Sequence, residues 1–204
     1  RSRPAGGFVG LTAGVRPSIG VLAGSAIETG RGVLVDEQLR TNVPGVFAAG
    51  DCAEIVRPGV ERNTIQAVWY TGRFQGEVAA ANLCGEGRTY DPGTWFNSAK
   101  FFDLEYMVYG DVPSARAATA ADAPESLFWE AENGRHSLRL VHRDGVLVGV
   151  NLLGMRFRHK VCEAWIQQGR TVDHVLSHLR DAAFDPEFTR WHGREIAAAM
   201  RSES

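Results

Sequence analysis

The sequence predicts two units of different class: an α/β unit over residues 1–88, then an α+β unit over residues 95–204. Three observations carry this. Short apolar runs alternate with glycine turns through the first half. Residues 85–94 hold three Gly and one Pro with almost no apolar side chain, which is junction chemistry. In the second half, Asn133-Gly134 and Asp144-Gly145 separate three strand-like runs. Such dipeptides favour hairpins, because type I′ turns need two residues at positive φ.

In chain order, residues 7–13 read as a short strand closed by Gly14, and Val15-Arg16 is held extended before Pro17. Residues 18–26 read as a short helix with Ile19, Val21 and Leu22 on its apolar side. Val33-Leu34-Val35 reads as a strand, and the polar stretch after it has one apolar anchor, Leu39. Residues 46–49 (Val-Phe-Ala-Ala) read as a buried strand that ends on Gly50-Asp51 and so delivers one carboxylate to its C-terminal end. In open α/β sheets, ligands bind outside the carboxyl ends of strands. A plain turn is the competing reading of a bare Gly-Asp pair.

Residues 53–62 read as a loop broken by Pro58-Gly59. Residues 64–84 have a helical pattern, with Asn63 as N-cap and Gly85 just past the C-terminus. Gly72, Gly76 and Ala80 lie at i, i+4, i+8 and leave one helix face bare, either for another backbone or a ligand or for helix–sheet packing. In the second unit, residues 99–109 read as an aromatic strand and 111–125 as a surface loop. Strands over 127–131, 137–142 and 146–154 form an antiparallel meander. Helices follow over 160–168, from a Thr171 cap, and over 194–201.

Composition limits the function classes. Hydrophobic residues make up 44% and charged residues 23% of the chain, an ordinary globular balance. A net charge of −2 leaves no footprint for nucleic acid. No apolar run approaches the roughly 20 residues that span a membrane. Cys52, Cys84 and Cys162 are far apart with no CxxC, which argues for a reducing cytoplasm and against a zinc site or disulfide framework. Cys84 and Cys162 are expected in the core, and Cys52 as a packed thiol. The first residue is Arg and the apolar run starts with no lead-in, so a piece of a longer protein is expected.

Taken together, Gly14-Val15-Arg16-Pro17, Gly32-Val33-Leu34-Val35-Asp36, and the run from Arg40-Thr41 through Gly50-Asp51-Cys52-Ala53-Glu54 resemble a known family. The likeness is to the C-terminal portion of an FAD-dependent pyridine nucleotide-disulfide oxidoreductase. Residues 75–83 resemble the following helix in the NADH oxidase, coenzyme A-disulfide reductase and ferredoxin or nitrite reductase branches. Phe102-Asp103-Leu104 with Gly110, and Asp185-Pro186-Glu187-Phe188, resemble their C-terminal interface domain. The fold implied is an α/β remnant of the FAD/NAD(P)-binding domains, ending in the segment that returns to the FAD domain. An α+β interface domain follows, with a three- to four-stranded antiparallel sheet and C-terminal helices.

The resemblance implies FAD as cofactor and NAD(P)H as co-substrate of the full-length protein. It implies that Asp51 accepts a hydrogen bond from the flavin ribityl chain, and that Gly50 lets backbone approach closely. It also places Val68, Trp69 and Tyr70, at the start of the next helix, near the flavin pyrimidine edge. A helix N-terminus carries roughly half a positive charge and favours negative charge there. Trp69 and Tyr70 are bulky for this position and either shape the pocket or mark a register one turn away.

In the family the redox-active cysteines lie on an N-terminal helix that is not present in this sequence, and no Gly-x-Gly-x-x-Gly fingerprint is present. The fragment alone is therefore expected to be inactive, and no catalytic residue is assigned. His192 lacks the His-Pro context of the glutathione-reductase branch and reads as surface or structural. His174 and His178 stand at i, i+4 but read as a solvated face rather than a metal chelate. The resemblance further implies a homodimer through residues 95–204, and an acceptor that is a disulfide, oxygen or an iron–sulfur redox protein. The alternative is a non-catalytic dimerisation module without flavin.

Overall fold

The computed structural model describes residues 14–57, 64–114, 122–184, 187 and 190–202. The strand expected over 7–13, the Asn63 cap and most of the Asp185-Pro186-Glu187-Phe188 motif lie outside the described residues. The chain divides into two compact units, Arg1–Pro92 and Gly93–Ser204.

The N-terminal unit has a small sheet in the order β1-β2-β3, with β1 (Val33–Val35) parallel to β2 (Ala53–Ile55) and β2 antiparallel to β3 (Thr64–Ile65). Helix α1 (Trp69–Leu83) follows. Val33, Val35, Leu39, Ala53, Ile55, Ala79 and Tyr90 form the core. Leu39 reaches that core by an unusual route. The Asp36 carboxylate accepts from the backbone N–H groups of Gln38 (2.8 Å) and Arg40 (3.0 Å), and this turn sets Leu39 at φ 62 with its side chain fully buried.

Several local expectations change. Residues 46–49 do not form a named strand: only Phe47 bridges, to Arg40. The cause lies upstream, where Thr41 donates to the Val46 carbonyl through both its N–H and its hydroxyl (3.0 Å each) and closes a loop over Pro44-Gly45. Gly50–Cys52 is a 3-10 turn, and the strand comes after it, at residues read as loop. The helix read over 18–26 shrinks to a 3-10 turn at Gly20–Leu22, with Val21 exposed. Helix α1 starts at Trp69 rather than 64, because residues 64–65 pair with β2 and Val68 is extended (φ −136, ψ 137) as N-cap. Cys84, expected in the core, is exposed at the C-cap of α1.

The C-terminal unit has a five-stranded antiparallel sheet in the order β4-β5-β8-β7-β6. Its strands are β4 (Phe96–Phe101), β5 (Leu104–Gly110), β6 (Glu125–Glu130), β7 (Ser137–Arg143) and β8 (Val146–Leu153). The three meander strands are β6, β7 and β8. The sheet exceeds the expected three to four strands because the aromatic run 99–109 is a hairpin, turning at Phe102 and Asp103 with Phe101 opposite Leu104. Phe102 sits at φ 58 with its ring in solvent. A bulky residue rarely adopts that conformation, so the turn carries no Gly or Asn signal in the sequence.

Helices α2 (His159–Gln167), α3 (Val172–Ser177) and α4 (Gly193–Ser202) pack with the sheet around one core. Leu138, Leu140, Val150, Leu152, Val175 and Ile196 are completely buried there. Cys162 is buried as expected, and burial pushes its thiol far above the usual thiol range. Thr171 caps α3, its hydroxyl accepting from the His174 N–H at 3.3 Å. Among the described residues, no helix is long and apolar enough to cross a membrane.

Candidate flavin-site turn in the N-terminal unit

The 3-10 turn Gly50–Cys52 is held from two sides. On one side stands α1. Gln75 is completely buried, and its Oε1 accepts the Gly50 N–H at 2.7 Å. A Cβ on Gly72 would lie 3.4 Å from the Gly50 Cα, so the bare face of α1 meets backbone here. Gly76 and Ala80, the rest of that face, are exposed. The amide of Gln75 continues to Gln66 (3.5 Å), whose Oε1 accepts the Tyr90 hydroxyl at 2.8 Å. Burial raises the Tyr90 phenol above its ordinary range, so it stays a donor.

On the other side stands Glu54, a carboxylate only 4% exposed on β2. Its Oε2 accepts the Gly32 N–H at 2.8 Å, and its Oε1 lies 3.4 Å from Arg31 Nε. Gly30-Arg31-Gly32 wraps it closely: a Cβ on Gly32 would stand 2.6 Å from the Cys52 carbonyl oxygen, and one on Gly30 2.7 Å from Glu54 Oε2. Only glycine fits at both positions without movement. Gly50 itself has φ +82, with open space where a Cβ would point. Within this chain its requirement is therefore backbone conformation rather than clearance.

This clamp presents Asp51 outward. Among the described residues its carboxylate has no hydrogen bond or ion pair. It lines a cavity of about 850 Å³ with Val15, Arg16, Pro17, Cys52, Ile65 and Ala67 among its neighbours. Ala67 immediately precedes Val68, the N-cap of α1. Val68, Trp69 and Tyr70 form the N-cap and first turn of that helix, next to the cavity but not among its lining residues. Trp69 is exposed and meets Tyr70 edge-on, with ring centroids 5.3 Å apart. Cys52 is half-buried, its thiol 3.5 Å from the Ala49 carbonyl.

Sequence reasoning singled out Gly50 and Asp51 as candidates and gave no role to Glu54, Gln66, Gln75 and Tyr90, the polar groups that hold the turn and its surroundings. A glutamine in the middle of a helix rich in Gly and Ala was the available signal.

The C-terminal unit has its own polar cluster. His192 is buried, with Nδ1 2.9 Å from Glu195 Oε2 and its ring between those of Trp129 and His136. It immediately precedes α4 and is buried, not at the surface. Hydrogen bonds from His192 and Arg190 hold the Glu195 carboxyl below its ordinary range. The rings of His174 and His178 stack 4.1 Å apart at the surface. Among the described residues, no three His, Cys, Asp or Glu side chains converge as a metal site.

Comparison with known proteins bears on the N-terminal unit first. Residues 5–76 match the family described as pyridine nucleotide-disulphide oxidoreductase. A curated relative, the NAD(P)H nitrite reductase of Bacillus subtilis (strain 168), is 25% identical over 148 residues, covering 72% of this chain and 17% of the relative. Among solved structures, an NAD-dependent persulfide reductase from A. fulgidus has a TM-score of 0.67 at 21% identity, covering 93% of this chain and 38% of that one. An FAD-dependent pyridine nucleotide-disulphide oxidoreductase from Desulfovibrio vulgaris has a TM-score of 0.61 at 17% identity, covering 95% of this chain and 48% of that one. The resemblance read from the sequence holds: the chain is similar to part of proteins of this family, and it spans less than half the length of these relatives.

Proposed function

We propose that this chain is the flavin-closing and interface portion of an FAD-dependent NAD(P)H oxidoreductase. The observation that carries the reading is the Asp51 carboxylate, left without a partner among the described residues and fixed over a cavity by a buried clamp. A preorganised polar group aimed into a concave space is what ligand recognition needs. The cavity volume falls within the usual range for ligand pockets, and its lining is mixed polar and apolar.

These residues fit a flavin. Asp51 can accept from a ribityl hydroxyl, a charge-assisted bond. The N-terminus of α1, at Val68, Trp69 and Tyr70, sets a positive dipole end beside an electron-rich ring edge. Gly50 gives the turn its conformation, and Glu54 and Gln75 hold it. When bound, FAD supplies the hydride and electron chemistry. The residues of this chain bind, orient and set local charge.

On this reading residues 1–88 are the end of the NAD(P)-binding domain and the returning FAD segment. Residues 95–204 are the interface domain and form a homodimer. The acceptor is a disulfide, oxygen or a redox protein. The three cysteines are free thiols, in keeping with a reducing cytoplasm.

Anaerobic titration of the intact protein with NADH and with NADPH tests this. Oxidised flavin absorbs at about 450 nm, and the reading expects that band to be present and to bleach with one of the two. A colourless intact protein that retains no added FAD would support a non-catalytic dimerisation module instead.

A further inference from the structure

The C-terminal unit carries an open groove of about 780 Å³ between α3, the 3-10 turn Leu179–Ala182 and α4. Its floor is apolar: Leu176 and Leu179 are buried, and Trp191 and Ala197 are half-buried. Its rim holds Arg180, Arg194 and Arg201, all exposed. Arg31, Arg40, Arg57, Arg73, Arg88, Arg135, Arg143, Arg156 and Arg190 each face a carboxylate. Among the described residues, neither Arg180 nor Arg194 has an acidic or hydrogen-bonding partner. Among the described residues, Arg201 donates only to the Ser177 hydroxyl, at 3.0 Å. Among the described residues, Arg16, Arg139, Arg158 and Arg170 also lack a carboxylate partner, but they lie outside this groove, and what sets Arg180, Arg194 and Arg201 apart is that all three line one opening. The acid on this rim, Glu195, is already engaged: Oε1 by Arg190 and Oε2 by His192.

We infer that this groove is a docking surface for an acidic protein segment, one that brings carboxylates to the three guanidiniums and an apolar side chain to the floor. Charge complementarity selects the partner. Three arginines around one opening attract carboxylates and orient them in pairs. The floor selects a protein segment over a small anion, because a free phosphate makes no use of Leu176, Leu179 and Trp191. This surface is independent of the flavin reading and stands if that reading fails.

The test is fluorescence anisotropy on the full chain, using a labelled synthetic peptide of alternating Glu and Leu. Controls are a Glu/Ser peptide of equal charge, a Lys/Leu peptide and inorganic phosphate as competitor. The Glu/Leu peptide should bind with salt-dependent affinity and outbind the Glu/Ser peptide by about fivefold or more, as burial of apolar groups requires. R180Q/R194Q/R201Q, checked for folding by circular dichroism, should weaken it by about tenfold or more. R170Q, an exposed arginine of the same unit outside the groove, should leave it unchanged. Equal binding by the triple variant, equal binding of the Glu/Ser peptide, or displacement by low-millimolar phosphate would each overturn the proposal. The last outcome would make the groove a small-anion site.

Discussion

The two units solve stability in different ways. The C-terminal unit buries an extensive core between a five-stranded sheet and three helices. Among the described residues, the N-terminal unit has a short three-stranded sheet and a smaller apolar core, and both units leave large apolar side chains in solvent, Val15, Val21, Trp69 and Leu83 in the first and Phe101 and Phe102 in the second. In the N-terminal unit polar contacts lock turns: Asp36 under Gln38 and Arg40, Glu54 under Gly32, Gln75 under Gly50. Among the described residues, one unit relies mainly on area removed from water, and the other adds specific polar partners at its turns. A protein that binds a cofactor gains from the second design, because the same polar groups that hold the turn also aim it.

That contrast makes graded predictions. Leu140→Ala in the C-terminal core should cost about 2–5 kcal/mol in denaturant unfolding, the usual range for a buried leucine. It should leave flavin content untouched, and a parallel loss of both would erase the distinction between units. Gly32→Ala comes next. Its Cβ meets a backbone oxygen that cannot rotate away, and a cost of about 1–3 kcal/mol is expected for such overpacking, together with loss of flavin. Gln75→Ala removes the partner of the half-buried Gly50 N–H and should cost about 1–3 kcal/mol. A milder loss would mean that water enters and replaces the amide.

The smallest effect expected is with pH. Burial, with help from His192, holds His136 below the ordinary imidazole range, and burial does the same to His159. A histidine whose folded pKa is depressed takes up its proton more readily in the unfolded chain. Stability is therefore complete above the unfolded value and falls as pH drops from there toward the folded values. Thermal unfolding should show the C-terminal unit weakening from neutral pH into the mildly acidic range, and H136Q/H159Q should flatten that slope. An unchanged slope would assign the acid sensitivity to other groups.

The sequence exposed what has a local signal. Asn133-Gly134 and Asp144-Gly145 announced three strands, and the junction chemistry of 85–94 announced a change of character. The five-stranded sheet was hidden because Phe102 takes a glycine-like conformation with no glycine. The strand at 53–55 was hidden behind Gly50–Cys52, since burial on a sheet of two neighbours leaves no alternation to read. At the candidate site, the family pattern singled out Gly50 and Asp51, whereas Glu54 and Gln75 make their contacts across 22 and 25 residues of chain, a distance that no local pattern reports.

The central claim concerns Asp51, and it is tested most directly by the flavin content of the intact protein with Asp51→Ala. Asp51→Asn serves as a partial rescue, because the amide oxygen still accepts a hydrogen bond. Losing a charge-assisted bond predicts flavin affinity lower by roughly tenfold or more in Asp51→Ala, with Asp51→Asn between it and the wild type. Flavin affinity equal to wild type in both variants, with folding intact, would contradict the account.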